Sequence, residues 1–184
     1  MNEVRQALDR LGDAVPSPAL DRAFAAHYAD LKQLARSRLR RSGLAGQVQT
    51  TALVHDSYLK LAAGAEREFP DRLHFLAYAS RTLRSIVIDA VREEKTLRRG
   101  GDVEVVTLDT TDVPGLPASL DVERVDAALA DLARVDPGLA RLVEMRFFGG
   151  LTEIEIAEAL GSSERSVRRE WTKARALLLT FLAG

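Results

Sequence analysis

A helix-turn-helix in the last third of the chain constrains the fold more than any other segment. It reads Leu151-Thr-Glu-Ile-Glu-Ile-Ala-Glu-Ala-Leu160, then Gly161-Ser-Ser, then Glu164-Arg-Ser-Val-Arg-Arg-Glu-Trp-Thr-Lys-Ala-Arg175. Thr152 and Glu155 stand at capping-box spacing, so each side chain can satisfy a free amide at the first helix's start. Gly161 ends that helix, and Ser163 is placed to cap the next. Val167, Trp171, Ala174, Leu178 and Phe181 recur at steps of three and four, which marks a buried stripe. Arg165, Arg169 and Thr172 point away from it, with Arg168 and Lys173 on the flanks. Such a helix, anchored by its apolar side and cationic on the other, suits a DNA major groove.

Net charge is only −1, but the charges are segregated. Residues 1–100 hold seventeen basic and twelve acidic side chains, and 161–184 hold five and two. Between them, 121–160 hold four basic against nine acidic, and 101–120 are acidic without a single cation. Basic surfaces at both ends suit a chain that meets nucleic acid in two places. The chain has no cysteine, which excludes disulfides, thiolate nucleophiles and cysteine-based zinc sites. No signal pattern opens it and no apolar run nears bilayer length, which predicts a soluble, cytoplasmic protein without a membrane partner. No metal, cofactor or catalytic residue is expected: P-loop, glycine-rich fingerprint, HExxH and nucleophile-elbow patterns are all missing.

The pattern along the chain predicts an all-α fold of two small helical domains on a flexible linker. In the first, residues 18–100, Ser17-Pro18 opens a helix to about Arg41 with Leu20, Phe24, Tyr28, Leu31 and Leu34 as its stripe. A second helix spans about Thr50 to Ala63. A long third runs from about Asp71 to Arg99, with Leu73, Leu76, Ala77, Ser80, Leu83, Val87 and Val91 inward. Residues 101–120 read as the linker, where Val103 to Leu108 is β-prone but Pro114, Gly115 and Pro117 argue against any regular element. Residues 121–184 then predict four helices, near 121–134, 138–148, 152–160 and 163–182.

The run Leu-Thr-x-x-Glu-Ile-Ala-x-x-Leu-Gly-x-Ser-x-x-x-Val-Arg-Arg-x-Trp-x-x-Ala-Arg-x-Leu resembles domain 4 of bacterial RNA polymerase sigma factors. Ala52 to Leu61 and Phe75 to Arg92 resemble their domain 2, and the two-domain layout resembles the extracytoplasmic-function (ECF) group. This resemblance covers about residues 18–183. It implies a sigma factor that binds core RNA polymerase at the β′ clamp helices and the β flap and recognises promoter DNA. Leu53, Val54, Asp56, Tyr58 and Leu59 would dock on the polymerase, although Leu53 and Leu59 serve equally as core; His55 reads as a surface residue. Arg81, Ser85, Arg92, Lys95 and Arg99 would hold the melted −10 strand. Ser85 stands where asparagine is common, and aromatic platforms are few: Phe69, Phe75 and Tyr78, the last two also suited to a core. The loop from Glu66 to Arg72 would pocket a flipped base. Ser163, Arg165, Arg168, Arg169 and Lys173 would bind the −35 element, with spacing silent on which reads a base and which holds phosphate. Arg175 suits an intramolecular salt bridge, and Trp171 the core.

One departure concerns the docking helix, which family members open with acidic residues. Gln49-Thr50-Thr51-Ala52 carries none. Thr50 and Thr51 stand where a phosphate from a Ser/Thr kinase would restore that charge; Thr50 is also an ordinary N-cap. An anti-sigma factor is the other regulatory partner the resemblance admits. The charge pattern further predicts a closed free state, with the acidic 121–160 segment against the basic helix 71–99. A dimeric helix-turn-helix repressor is the competing class, but it leaves residues 18–100 without a task.

Overall fold

Helix ends in this chain are written in capping chemistry, and the elements follow from them. The computed structural model describes residues 18–41, 50–62, 69–97, 107–109 and 116–183. Helix α1 is Pro18–Arg41, α2 is Thr50–Ala62 and α3 is Arg72–Leu97. Strands β1 (Thr107–Asp109) and β2 (Ser119–Asp121) precede α4 (Val122–Val135), α5 (Pro137–Phe147), α6 (Glu153–Ala159) and α7 (Glu164–Ala183). Asp71 starts α3 by accepting the His74 amide at 2.9 Å. That amide also holds the Asp71 carboxyl below its ordinary pKa, with the His74 ring adding to the effect. Asp121 caps α4, and Asp136 caps α5 through the amides of Gly138 and Leu139, with Pro137 in the first turn. Among the described residues no helix is long and apolar enough to cross a membrane.

Two expectations need correction. Helical geometry breaks at His27 (φ −113°, ψ 15°), where the ring rests 5.4 Å from Phe75 and Nδ1 lies 3.6 Å from Asp30. Of the expected stripe only Tyr28 leaves the core. Leu31, Ala35 and Leu39 are buried beyond the break, whereas Tyr28 is exposed. The second correction concerns residues 101–120. They do contain a regular element, because β1 pairs antiparallel with β2 in the register Leu108↔Leu120. Pro117 lies between the strands, where a missing amide donor costs the ladder nothing, and Pro114 and Gly115 lie outside the described residues.

Helix α3 is the hub of the molecule. Its predicted inner positions are buried or half-buried, and Phe75, Ala79, Ile86, Ile88 and Ala90 are buried as well. Burial over more than half of a helix's circumference needs neighbours on several sides. Helix α3 packs against α1 and α2 on one side and against α4, α5 and α6 on the other. The turn after α5 is fitted to this contact. A Cβ on Gly149 would sit 3.1 Å from the Ser80 Cβ and 2.7 Å from the Met145 carbonyl oxygen. Gly150 has φ +66°, and a Cβ there would meet Leu34 at 3.0 Å. The glycine pair therefore stops α5 and also lets the two halves of the chain approach closely.

Candidate nucleic-acid interface

The turn between α6 and α7 is built as its residues dictate. The Glu155 amide donates to Thr152 Oγ1 (3.2 Å) and the Thr152 amide to Glu155 Oε2 (2.8 Å), so both halves of the capping box are closed. Gly161 takes φ +59° with open space around it; backbone conformation, not crowding, is what calls for glycine there. Ser163 Oγ accepts the Ser166 amide at 3.2 Å, which starts α7. Val167, Trp171, Ala174 and Leu178 are buried, Phe181 half so. The Arg146 guanidinium lies over the Trp171 indole, 5.4 Å from its centroid, and clamps α5 to α7.

The opposite face of α7 is exposed and cationic. Arg168 is held between Glu153 (3.0 Å) and Glu164 (2.5 Å), and Glu153 first, then Glu164, raise its pKa. Arg169 and Lys173 share the Glu170 carboxylate at 3.2 and 3.1 Å. Lys173 and then Arg169 hold that carboxyl below its ordinary pKa. Arg165 is exposed and has no ion pair among the described residues. Exposed pairs of this kind contribute at most about 1 kcal/mol each, so a phosphate backbone displaces them readily. Arg175 is half-buried and has no ion pair among the described residues.

On α3, Arg81 is exposed and likewise unpaired among the described residues. Ser85 accepts from Lys60 Nζ at 2.9 Å, and that ammonium also pairs with Asp89 at 2.6 Å. Arg92 reaches across to Asp126 on α4, at 3.0 Å. The side chain of Lys95, and all of Arg99, lie outside the described residues. Phe75 is core, while the half-buried Phe69 meets Phe75 edge-on and the half-buried Tyr78 at a tilt.

The residue that organises this surface is Arg84, which escaped sequence reasoning. Its Nε and Nη2 donate to Asp126 Oδ1 at 3.0 and 2.8 Å, Nη2 also to the Asp126 carbonyl, and Nη1 to Glu144 at 2.8 Å. It is 15% exposed and Glu144 only 8%. Arg72 makes a second bridge, to Asp30 at 2.8 Å and Glu155 at 3.9 Å, joining α1, α3 and α6. Asp30 is held below its ordinary pKa by the Arg72 hydrogen bond. The charge segregation of the two segments was the available signal. It predicted that 121–160 and helix 71–99 would pair, and they do, but not which arginine does most of it.

On α2, Val54 is fully buried and offers a partner no surface in this arrangement. Tyr58 is committed within the fold: its hydroxyl donates to Asp21 at 2.6 Å and its ring meets Phe24 edge-on at 5.0 Å. The Asp21 hydrogen bond pushes the Tyr58 pKa up. Leu59 is 44% exposed and His55 is exposed. The side chains of Thr50, Thr51, Leu53 and Asp56 lie outside the described residues. The first turn of α2 contains no acidic residue.

A family model described as ECF sigma factor matches residues 1–182. No curated protein and no solved structure matches the chain.

Proposed function

Given that this chain belongs to the ECF sigma factor family, and so serves promoter-directed transcription initiation with RNA polymerase, we propose which residues carry each part of that task. The observation that carries the reading is the pair of helix faces bearing exposed arginines, on α3 in the middle of the chain and on α7 near its last residues. Helix α7 enters the major groove of the −35 element. Arg165 is the prime base reader, since it meets DNA with no carboxylate to shed, and a bidentate grip on guanine supplies about 1–3 kcal/mol of discrimination. Arg168, Arg169 and Lys173 hold phosphates, with Ser163 at the helix start. Helix α3 holds the −10 strand through Arg81, Ser85, Arg92, Lys95 and Arg99. Residues 18–100 act as domain 2 and 121–184 as domain 4, the segment between them serving as tether. Leu59, with Leu53 and Asp56, faces the polymerase; Val54 and Tyr58 hold α2 in shape.

The arrangement described here is then the resting form, with Arg92 and Arg84 occupied by Asp126 and Glu144. An α2 start without carboxylates docks weakly on a basic partner, and a phosphate on Thr50 or Thr51 supplies the missing charge. Run-off transcription with reconstituted core polymerase over a promoter library tests the whole reading. Specific start sites are expected, with stronger core binding in Thr50→Glu or Thr51→Glu; no start site with wild type or either variant refutes it. The repressor reading predicts a dimer that ignores core polymerase, which a pull-down separates from ours.

A further inference from the structure

Ion pairing between the two halves of the chain is unevenly shared. Of the cations along the seam, Arg72, Arg84, Arg92 and Lys60 each have a carboxylate. Two do not. Arg81 on α3 and Arg141 on α5 are both exposed, neither has an ion pair among the described residues, and both line the same cleft. That cleft, of about 730 Å³, is walled by α3 on one side and α5 on the other. Among the described residues its one carboxylate, Glu144, is already taken by Arg84, which leaves the described walls positively charged. Like charges on facing walls oppose closure unless an anion sits between them. The volume lies within the range of small-molecule sites, which favour domain interfaces, and far exceeds what a lone phosphate fills. Tyr78 and Ala140 add ring and methyl surface to the same walls.

From this we propose that the cleft between α3 and α5 binds a nucleoside polyphosphate, with Arg81 and Arg141 gripping the phosphates and the Tyr78 side of the cleft receiving the base. The site exists only while the halves are together, so its ligand holds the closed form and covers Arg81 and Ser85 on the −10 face. The covering effect rests on the function proposed above; the binding site does not.

Titration calorimetry on the full chain, with ATP, GTP and pyrophosphate as separate probes, tests the site. One saturable site is expected for a nucleotide, weakened at least tenfold by Arg141→Ala and by Arg81→Ala, and also weakened by Arg84→Met, which opens the seam. Arg141 contributes nothing to the proposed promoter contacts, so Arg141→Ala should keep wild-type run-off transcription without nucleotide and lose its inhibition by nucleotide. No saturable binding, or equal binding by wild type and Arg141→Ala, overturns the site. Pyrophosphate binding as tightly as the nucleotides overturns the nucleoside part. If binding is seen but no promoter is ever transcribed, the function reading fails while the site stands.

Discussion

Replacing Arg84 with methionine should open the molecule, and the size of the effect follows from burial. Methionine keeps most of the stem's packing and removes the guanidinium, leaving Glu144, 8% exposed, and Asp126, 24% exposed, without their main partner. An exposed ion pair contributes under about 1 kcal/mol, whereas stranding one charge of a fully buried pair costs about 3–5 kcal/mol. The Arg84 cluster lies between these limits, and Asp126 keeps Arg92 as a second partner. We therefore expect a loss of about 2 kcal/mol in the closed form, a ~30-fold shift toward the open one. The chain has no cysteine, so Arg36→Cys and Ala176→Cys, both at exposed positions, give a clean dye pair for single-molecule energy transfer. The Arg84→Met variant should populate a low-transfer state that is rare in wild type. Adding Glu144→Gln, which removes the stranded charge but keeps its shape, should restore part of the closed population. Identical transfer histograms for wild type and Arg84→Met, or no recovery in the double variant, would refute the latch.

Three further outcomes follow from the geometry. Arg165→Ala should weaken −35 duplex binding by about tenfold or more, in line with the loss of a bidentate base contact, and Arg168→Ala by less, because Glu153 and Glu164 compete for it; fluorescence anisotropy with matched duplexes ranks them. Thr152→Ala should lower unfolding free energy by about 1 kcal/mol through loss of the closed capping box, measured by urea titration. The third concerns acid. Because the folded Asp30 pKa lies below its unfolded value of 3.8, its pairing with Arg72 stabilises fully above that value and is lost progressively below it, as pH falls through the lower folded pKa. The stability gap between wild type and Arg72→Met, expected at under about 1 kcal/mol for so exposed a pair, should thus be present at neutral pH and close below pH 3.8, as read from urea titrations across pH.

How much of this was legible in the chain depended on whether its cause was local. Asp136-Pro137, the Thr152–Glu155 box and Gly161 act within a few residues, so α5, α6 and the start of α7 were readable to within a residue or two. The stripe Val167–Trp171–Ala174–Leu178 was readable for the same reason, and with it the cationic face opposite. The β ribbon was not. Its two strands lie about ten residues apart and are each three residues long, and nothing in either says it has a partner. The break at His27 sits where its ring meets Phe75 and Asp30, contacts that no periodicity within α1 encodes. Helix α3 showed one inner face in sequence because the second is defined only by what packs on it. Val54 and Tyr58 were assigned to docking by the family resemblance, which carries over positions without saying which neighbour covers them in this chain; here Val54 is buried and Tyr58 bonds to Asp21.

The chemistry of the seam explains how one helix can serve both a closed protein and an open complex. Where α3 meets α1, the contacts given by Phe75, His27 and Leu31 are ring-on-ring or fully buried, and water regains nothing by parting them. Where α3 meets α4 and α5, the contacts include the tight fit of Ser80 beside Gly149 and the carboxylates on Arg84 and Arg92. Apolar area is what makes a contact permanent. Carboxylate-to-arginine pairs, by contrast, can be traded for phosphate-to-arginine pairs of the same geometry. Arg92, 56% exposed, can make that exchange without disturbing the core; Arg84, 15% exposed, can make it only after the halves part. Under the proposed function the two arginines act in sequence: nucleic acid would compete first for Arg92, leaving Asp126 to Arg84 alone, and that remaining latch would set the threshold for opening.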